Sequence, residues 1–177
     1  MKELSLNILD VTENSVKAGA TLTEIIIEES DDTLKLTIRD DGCGMDEGTV
    51  KSVTDPFYTT RTTRKVGMGI PLLKLAAEQT DGSFNISSSV GEKHGTEVTA
   101  VFNKKHIDFT PLGDVTATLT TLIQGHPDTD FLFRHTVGGN EITLDTREVR
   151  AVLDGVPLDT YEVIKWIEEY VNEQYGQ

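Results

Sequence analysis

The chain has 177 residues, 37% of them hydrophobic and 26% charged, with a formal net charge of −14. That length buries a real core and suits one domain or one domain with an appendage, whereas so large an acidic excess argues against nucleic acid, whose phosphates draw on surplus lysine and arginine. A single cysteine, Cys43, excludes an internal disulfide framework and cannot alone hold zinc or an iron–sulfur cluster.

The opening MKELSLNILD carries acidic residues where a secretory leader needs an apolar core, and no later run approaches the roughly 18 apolar residues of a membrane span. The expected location is therefore cytoplasmic, with no membrane partner. The stretch from Leu6 to Ala20, LNILDVTENSVKAGA, has helical periodicity: Leu4, Ile8, Val11 and Ser15 fall along one side, with Leu9, Thr12 and Val16 beside them. Asp10 and Asn14 stack four apart on a shared face, and Gly19 ends the helix. ATLTEIIIEES and TLKLTIRDDG then alternate apolar and polar residues around SDDT, which predicts an antiparallel hairpin with Leu34, Leu36 and Ile38 facing the core. The second strand stops at Asp40, Asp41 and Gly42, GCGMD breaks regular structure, and a short polar helix is expected from Glu47 to Val53.

The segment from Asp55 to Gly69 is rich in threonine, glycine and basic residues and reads as a mobile loop. A helix follows from Ile70 to Thr80, with Pro71 in its tolerated first turn. SFNISSSV and TEVTAVF read as two more strands joined by GEKHG. Past about Lys105 the character changes. A helix is expected near Leu112 to Ile123, then a hairpin turning at Gly138 and Gly139, then helices near Arg147 to Leu153 and Asp159 to Tyr175. Charge is uneven as well: residues 1–106 carry 17 acidic and 12 basic side chains, net −5, and residues 107–177 carry 13 and 4, net −9. From Pro56 to Ala77 there are four basic residues and no acidic one, a local reversal of sign that suits a small polyanion.

Three separated segments invite a common explanation: Asp10 with Asn14 on a helix, Asp40 with Gly42 and Gly44 after a strand, and Gly67 with Gly69 where a helix starts. Taken singly each has an ordinary reading as a solvated helix side, a turn, or a weak Gly-x-Gly. Their order and spacing resemble the boxes of the GHKL ATPases, the superfamily of gyrase, its related heat-shock chaperone, histidine kinases and MutL. LDVTENSVKAGAT is similar to the N box, DDGCGM to the DxGxG box, DPFYTTR to the segment ahead of the histidine-kinase lid, GMGI to the Gly-rich box, and SSSVGEKHGTEVTAVF to the closing strand pair with its Gly95–Thr96. The resemblance runs from about residue 3 to 103.

The family resemblance implies an α+β two-layer sandwich of the Bergerat type, with a mixed, mostly antiparallel sheet and helices on one face. It places an ATP-binding domain in residues 1–105, leaving residues 106–177 as an acidic α/β extension for interaction or dimerisation. It also implies ATP and Mg2+ as ligands. Asp40, held at a strand end by the flexible Gly42 and Gly44, would accept a hydrogen bond from the adenine amino group, and Thr96 would bond near the same base. Asn14 would offer one neutral oxygen to magnesium. Gly67, Met68, Gly69 and Ile70 would bring a helix start to the phosphates, Met45 and Phe57 would border the nucleotide, and Arg61, Arg64 and Lys65 would supply cations from the lid. Asp10 stands where hydrolytic members place a glutamate that activates water, one methylene longer.

Three activities stay open: a slow ATP hydrolase coupled to a conformational or partner switch, a protein kinase, and an ATP-gated interaction module. His94, His106, His126 and His135 all follow Asp40, and none stands in a recognisable phosphoacceptor helix. A kinase of this kind would act on another polypeptide, as the resemblance to the stand-alone anti-sigma-factor kinases implies. The acidic tail, ending in YEVIKWIEEYVNEQY, is expected to dock on a partner protein or on a second copy. Ile164, Trp166, Ile167, Tyr170 and Val171 either line that contact or serve as ordinary core.

Overall fold

The computed structural model describes residues 3–55 and 68–176. Helix α1 (Leu4–Lys17) leads into the hairpin β1 (Leu22–Glu29) and β2 (Thr33–Asp40), followed by helix α2 (Glu47–Thr54). Helix α3 (Gly69–Gln79) precedes a second hairpin, β3 (Ser83–Ser89) and β4 (Gly95–Asn103). Helix α4 (Val115–Gly125), strands β5 (Asp130–Val137) and β6 (Asn140–Asp145), and helices α5 (Thr146–Leu153) and α6 (Tyr161–Tyr175) complete the chain. The elements expected from periodicity are present, with ends displaced by a few residues where capping rather than pattern decides. Asp46, for example, caps α2 by accepting from the Thr49 amide, and Asp114 caps α4 through the Ala117 amide.

The six strands form one sheet in the order β3-β4-β2-β1-β5-β6. All neighbours are antiparallel except β1 and β5, which run parallel over Leu22–Glu29 and Asp130–Val137. Register produces a continuous apolar row across every strand: Ile86, Val98, Ile38, Ile25, Phe133 and Leu144 are successive partners. Because side chains alternate faces with a period of two, this row and its counterparts two residues away form the core under α1, α3, α4 and α6. Leu4, Ile8, Leu73, Leu119, Ile167 and Val171 are fully or almost fully buried there. The other face is polar: Glu24, Arg39 and Glu97 are direct partners on three strands, and the Arg39 guanidinium bridges both carboxylates at 3.0 and 2.9 Å.

Residues 107–176 join this assembly through the same sheet. The amides of Leu4 and Ser5 at the start of α1 donate to Pro111 and Leu112 carbonyls, each at 2.8 Å, and the Thr118 hydroxyl donates to the Ser5 carbonyl. In the C-terminal helix the apolar stripe divides. Val163, Ile167 and Val171 are buried and Ile164 is partly so, while Trp166 and Tyr170 remain exposed and stack on each other with centroids 5.1 Å apart.

Candidate nucleotide-binding site

Two residues along from the apolar row, on the same face, the sheet turns polar: Thr23, Asp40, Thr96 and Ser88 are successive partners on β1, β2, β4 and β3. Helix α1 crosses above this row, and between them lies a cavity of about 110 Å3. Its walls are Val11, Asn14, Ser15 and Ala18 from α1, Ile38 and Asp40 from β2, Gly44 and Met45 from the following loop, Val53 from α2, Ile70 from α3, and Thr96 and Val98 from β4. The walls are mostly aliphatic, and the carboxylate and hydroxyl enter at one end. That is the composition of a pocket for a flat heteroaromatic ring with a polar edge.

Asp40 is fixed on both oxygens. The Ser15 hydroxyl donates to Oδ2 at 2.6 Å, and the Gly42 amide donates to Oδ1 at 2.8 Å. Each oxygen keeps a lone pair for a ligand. Its neighbour Asp41 points elsewhere, accepting from the Thr21 hydroxyl and from the Thr21 and Leu22 amides. Burial pushes the Asp41 carboxyl up, but these donors outweigh it and hold the carboxyl below its ordinary value. Ser88 organises the opposite side. Its hydroxyl donates to the Gly95 carbonyl at 3.0 Å, accepts from the Met45 amide at 2.8 Å, and shares a 2.7 Å bond with the Thr96 hydroxyl. Gly44 makes that closure sterically feasible: its φ is +77°, and a side-chain carbon there would collide with the Ser89 carbonyl.

Asn14 lines the cavity, and among the described residues its carboxamide has no side-chain hydrogen bond. Asp10 and Gly69 meet just outside the cavity lining. A methyl group on Gly69 would stand 2.9 Å from Asp10 Cβ, so only glycine lets α3 begin this close to α1. Among the described residues no side chain caps α3, and first-turn amides of a helix can meet an anion. The Asp10 carboxyl is pushed above its ordinary value, first by burial and then by the nearby charge of Glu13. Glu13 itself meets His126 Nε2 at 2.8 Å.

The residues singled out in the sequence thus take distinct places. Asn14, Asp40, Gly44, Met45, Ile70 and Thr96 share one cavity; Gly42 lies buried behind Asp40; Asp10 and Gly69 touch at the side; Met68 is exposed. Phe57, Arg61, Arg64, Lys65 and Gly67, and the expected lid with them, lie outside the described residues. Sequence reasoning passed over Ser15 and Ser88, the two hydroxyls that hold Asp40 and Thr96. Ser15 was legible only as part of an apolar side, and Ser88 only as one of three serines whose register decides which one faces inward.

The family of histidine kinase-, DNA gyrase B- and HSP90-like ATPases matches residues 2–106. The chain belongs to this ATPase family. Similar members include the signal transduction histidine-protein kinase AtoS of Escherichia coli, 29% identical over 91 residues, and the sensor histidine kinase YxdK of Bacillus subtilis, 32% identical over 111 residues. These alignments cover 51% and 59% of this chain but only 15% and 34% of those proteins. Among solved structures the ATPase domain of Aquifex aeolicus MutL complexed with ADP resembles it with a TM-score of 0.54 at 16% identity, covering 98% of this chain and 70% of that one. The N-terminal domain of a DNA repair protein has a TM-score of 0.55 over 82% of this chain and 53% of its own, also at 16% identity. The likeness of fold to that MutL domain, a mixed sheet with helices, thus covers the acidic C-terminal region as well. Among the described residues no helix is long and apolar enough to cross a membrane.

Proposed function

We propose that the chain binds ATP in the cavity between α1 and the polar row, hydrolyses it slowly, and couples that cycle to a conformational or partner switch. The observation that carries this reading is Asp40: a carboxylate clamped by Ser15 and Gly42 at the end of an otherwise apolar slot, beside Thr96, suits the amino edge of adenine. Asn14, Gly42, Gly44, Met45, Ile70 and Thr96 complete the binding surface, and Met68 and Gly69 begin the helix that meets the phosphates. Phe57, Arg61, Lys65 and Gly67 belong to the same proposal by their place in the family boxes.

Mg2+ fits the donor set only as a partner of the triphosphate. Among the described residues no group of three His, Cys, Asp or Glu side chains could hold a metal, and Asn14 offers one neutral oxygen, leaving the remaining positions to phosphate and water. Bound there, the ion would neutralise phosphate charge. Asp10, beside the start of α3, is the carboxylate placed to orient a water and accept its proton. Residues 1–105 would form the nucleotide-binding unit and residues 106–177 the region that meets a partner protein or a second copy. A second reading, transfer of the γ-phosphate to a separate protein, is favoured by the sensor histidine kinases among its relatives. The test is calorimetry of ATP and GTP on wild type and Asp40→Asn. Loss of the acceptor should weaken ATP roughly ten- to a hundredfold, corresponding to about 1–3 kcal/mol. Unchanged ATP affinity would remove Asp40 from the site. Phosphate release measured with and without a candidate partner separates hydrolase from kinase.

A further inference from the structure

At the sheet edge opposite β3 the fold leaves a groove between α5 and α6, floored by Leu144 of β6, with a volume of about 510 Å3. It is separate from the nucleotide cavity: β2 and β6 stand three strand spacings apart, about 14 Å. Its apolar wall is open to solvent, with Val152 83% and Trp166 50% exposed and Tyr170 stacked on Trp166. The rim is acidic, because Glu148 and Glu162 line the groove. The flanking arginines are paired: Arg147 with the groove's own Asp145 at 2.9 Å and Arg150 with Asp130 at 2.7 Å, which leaves Glu148 and Glu162 as the rim's acidic groups. Lys165, one position from Trp166, stands in a region of net charge −9.

We infer that this groove docks an amphipathic helix of a partner protein whose apolar side carries leucine-type residues and whose flanks carry lysine or arginine. Two facing helices make a trough that fits a third. Exposed Trp and Tyr are the residue types that dominate binding energy, and their stacked rings offer a face to a cation. A second copy is the poorer occupant, since it would press acidic rim against acidic rim in a molecule of net charge −14. An anionic membrane surface is opposed by the same charge. The inference extends the partner part of the reading above and stands apart from nucleotide binding.

The test uses the full chain and two synthetic amphipathic helices of equal length, one Lys/Leu and one Glu/Leu. Trp166 is the only tryptophan, so its fluorescence reports on the groove directly. The Lys/Leu helix should shift that emission saturably and bind more weakly as salt rises, and the Glu/Leu helix should do neither. By anisotropy of the labelled Lys/Leu helix, Trp166→Ala and Val152→Arg should each weaken binding about tenfold. Ile107→Arg, the same kind of change at a 94% exposed residue outside the groove, should leave binding within about twofold of wild type. Equal weakening by Val152→Arg and Ile107→Arg would reduce the effect to diffuse attraction and overturn the inference. So would equal binding of both helices, or a dimer in sedimentation that buries Trp166. ATP affinity measured in the same variants keeps this result distinguishable from a failure of the nucleotide site.

Discussion

Asp10 is a carboxylate whose ionised form the folded protein disfavours, through burial first and Glu13 second. A folded-state pKa raised above the unfolded one means stability that is present at low pH and lost as pH rises through the folded value, so at neutral pH the charge on Asp10 costs stability. Asp10→Asn should therefore raise the melting temperature slightly while leaving ATP affinity within about twofold. Under the hydrolase reading phosphate release disappears, because an amide cannot accept the water's proton. Under the kinase reading transfer to the partner disappears while free phosphate is negligible in both forms, and a pure binding module shows equal, negligible turnover. A melting temperature that falls, with ATP binding lost, would recast Asp10 as a structural support. Asp40 and Asp41 show what one sequence position decides: adjacent carboxylates point to opposite sides of the strand end, one to the cavity and one to the amides of Thr21 and Leu22. The glycine spacing made Asp40 the readable member of that pair. The hydroxyls of Ser15 and Ser88 were not readable, because their partners lie 25 and 8 residues away along the chain and only the folded register brings them together.

Strands and helices with strong periodicity were legible one by one: Leu34, Leu36 and Ile38 are buried as the alternation of β2 requires, and the GG turn of β5 and β6 falls between Val137 and Asn140. What the pattern left open was which neighbours they meet. The stripe on α6 is the clearest case, since Ile167 and Val171 became core while Trp166 and Tyr170 stayed outside. The end of α6 is also fastened by a partly buried polar cluster. Glu29 of β1 accepts from Lys104 at 2.9 Å and from His135 Nε2 at 2.5 Å, and the Tyr175 hydroxyl shares a 2.7 Å hydrogen bond with His135 Nδ1. Burial pushes the Glu29 carboxyl up, but hydrogen bonds from Lys104 and His135, with their charges, hold it below its ordinary 4.5. Its contribution is thus present above that pH and lost on acidification below it. Tyr175 is pushed the other way, above its ordinary 10.0, by burial and by the Glu29 charge, so its contribution is present below pH 10 and lost above it. Tyr175→Phe should lower the melting temperature at pH 7 by about 2–4 °C, one hydrogen bond's worth, and should remove the extra loss seen above pH 10. Thermal unfolding from pH 3 to 11 checks both arms, and identical alkaline limbs in wild type and variant would detach Tyr175 from this linkage.

At the scale of the molecule, the helix carrying Asp10 and Asn14 packs on α4, and α4 packs on α6, where the Thr116 hydroxyl meets the Asn172 carboxamide at 2.8 Å. The candidate nucleotide cavity and the acidic groove are thus linked through one run of packed helices over one sheet. The expected boundary at 105/106 meets a specific test here, because β5 covers the whole length of β1. A chain ending at residue 106 would expose β1 as an edge, with Ile25 and Ile27 on its buried side; such edges recruit other chains. Light scattering should show that fragment self-associating at concentrations where the full chain is monodisperse, and a monomeric fragment with full ATP affinity would establish the boundary as a true domain limit. The parallel pairing also bears on how the protein is born. β1 leaves the ribosome about 100 residues before β5, which at roughly 5–20 residues per second is an interval of about 5–20 s. During it the Ile25-Ile26-Ile27 strand has its hairpin partner but no cover on the other side. The nascent chain should therefore bind holding chaperones in that interval, and synthesis of β5, rather than the nucleotide, should release it.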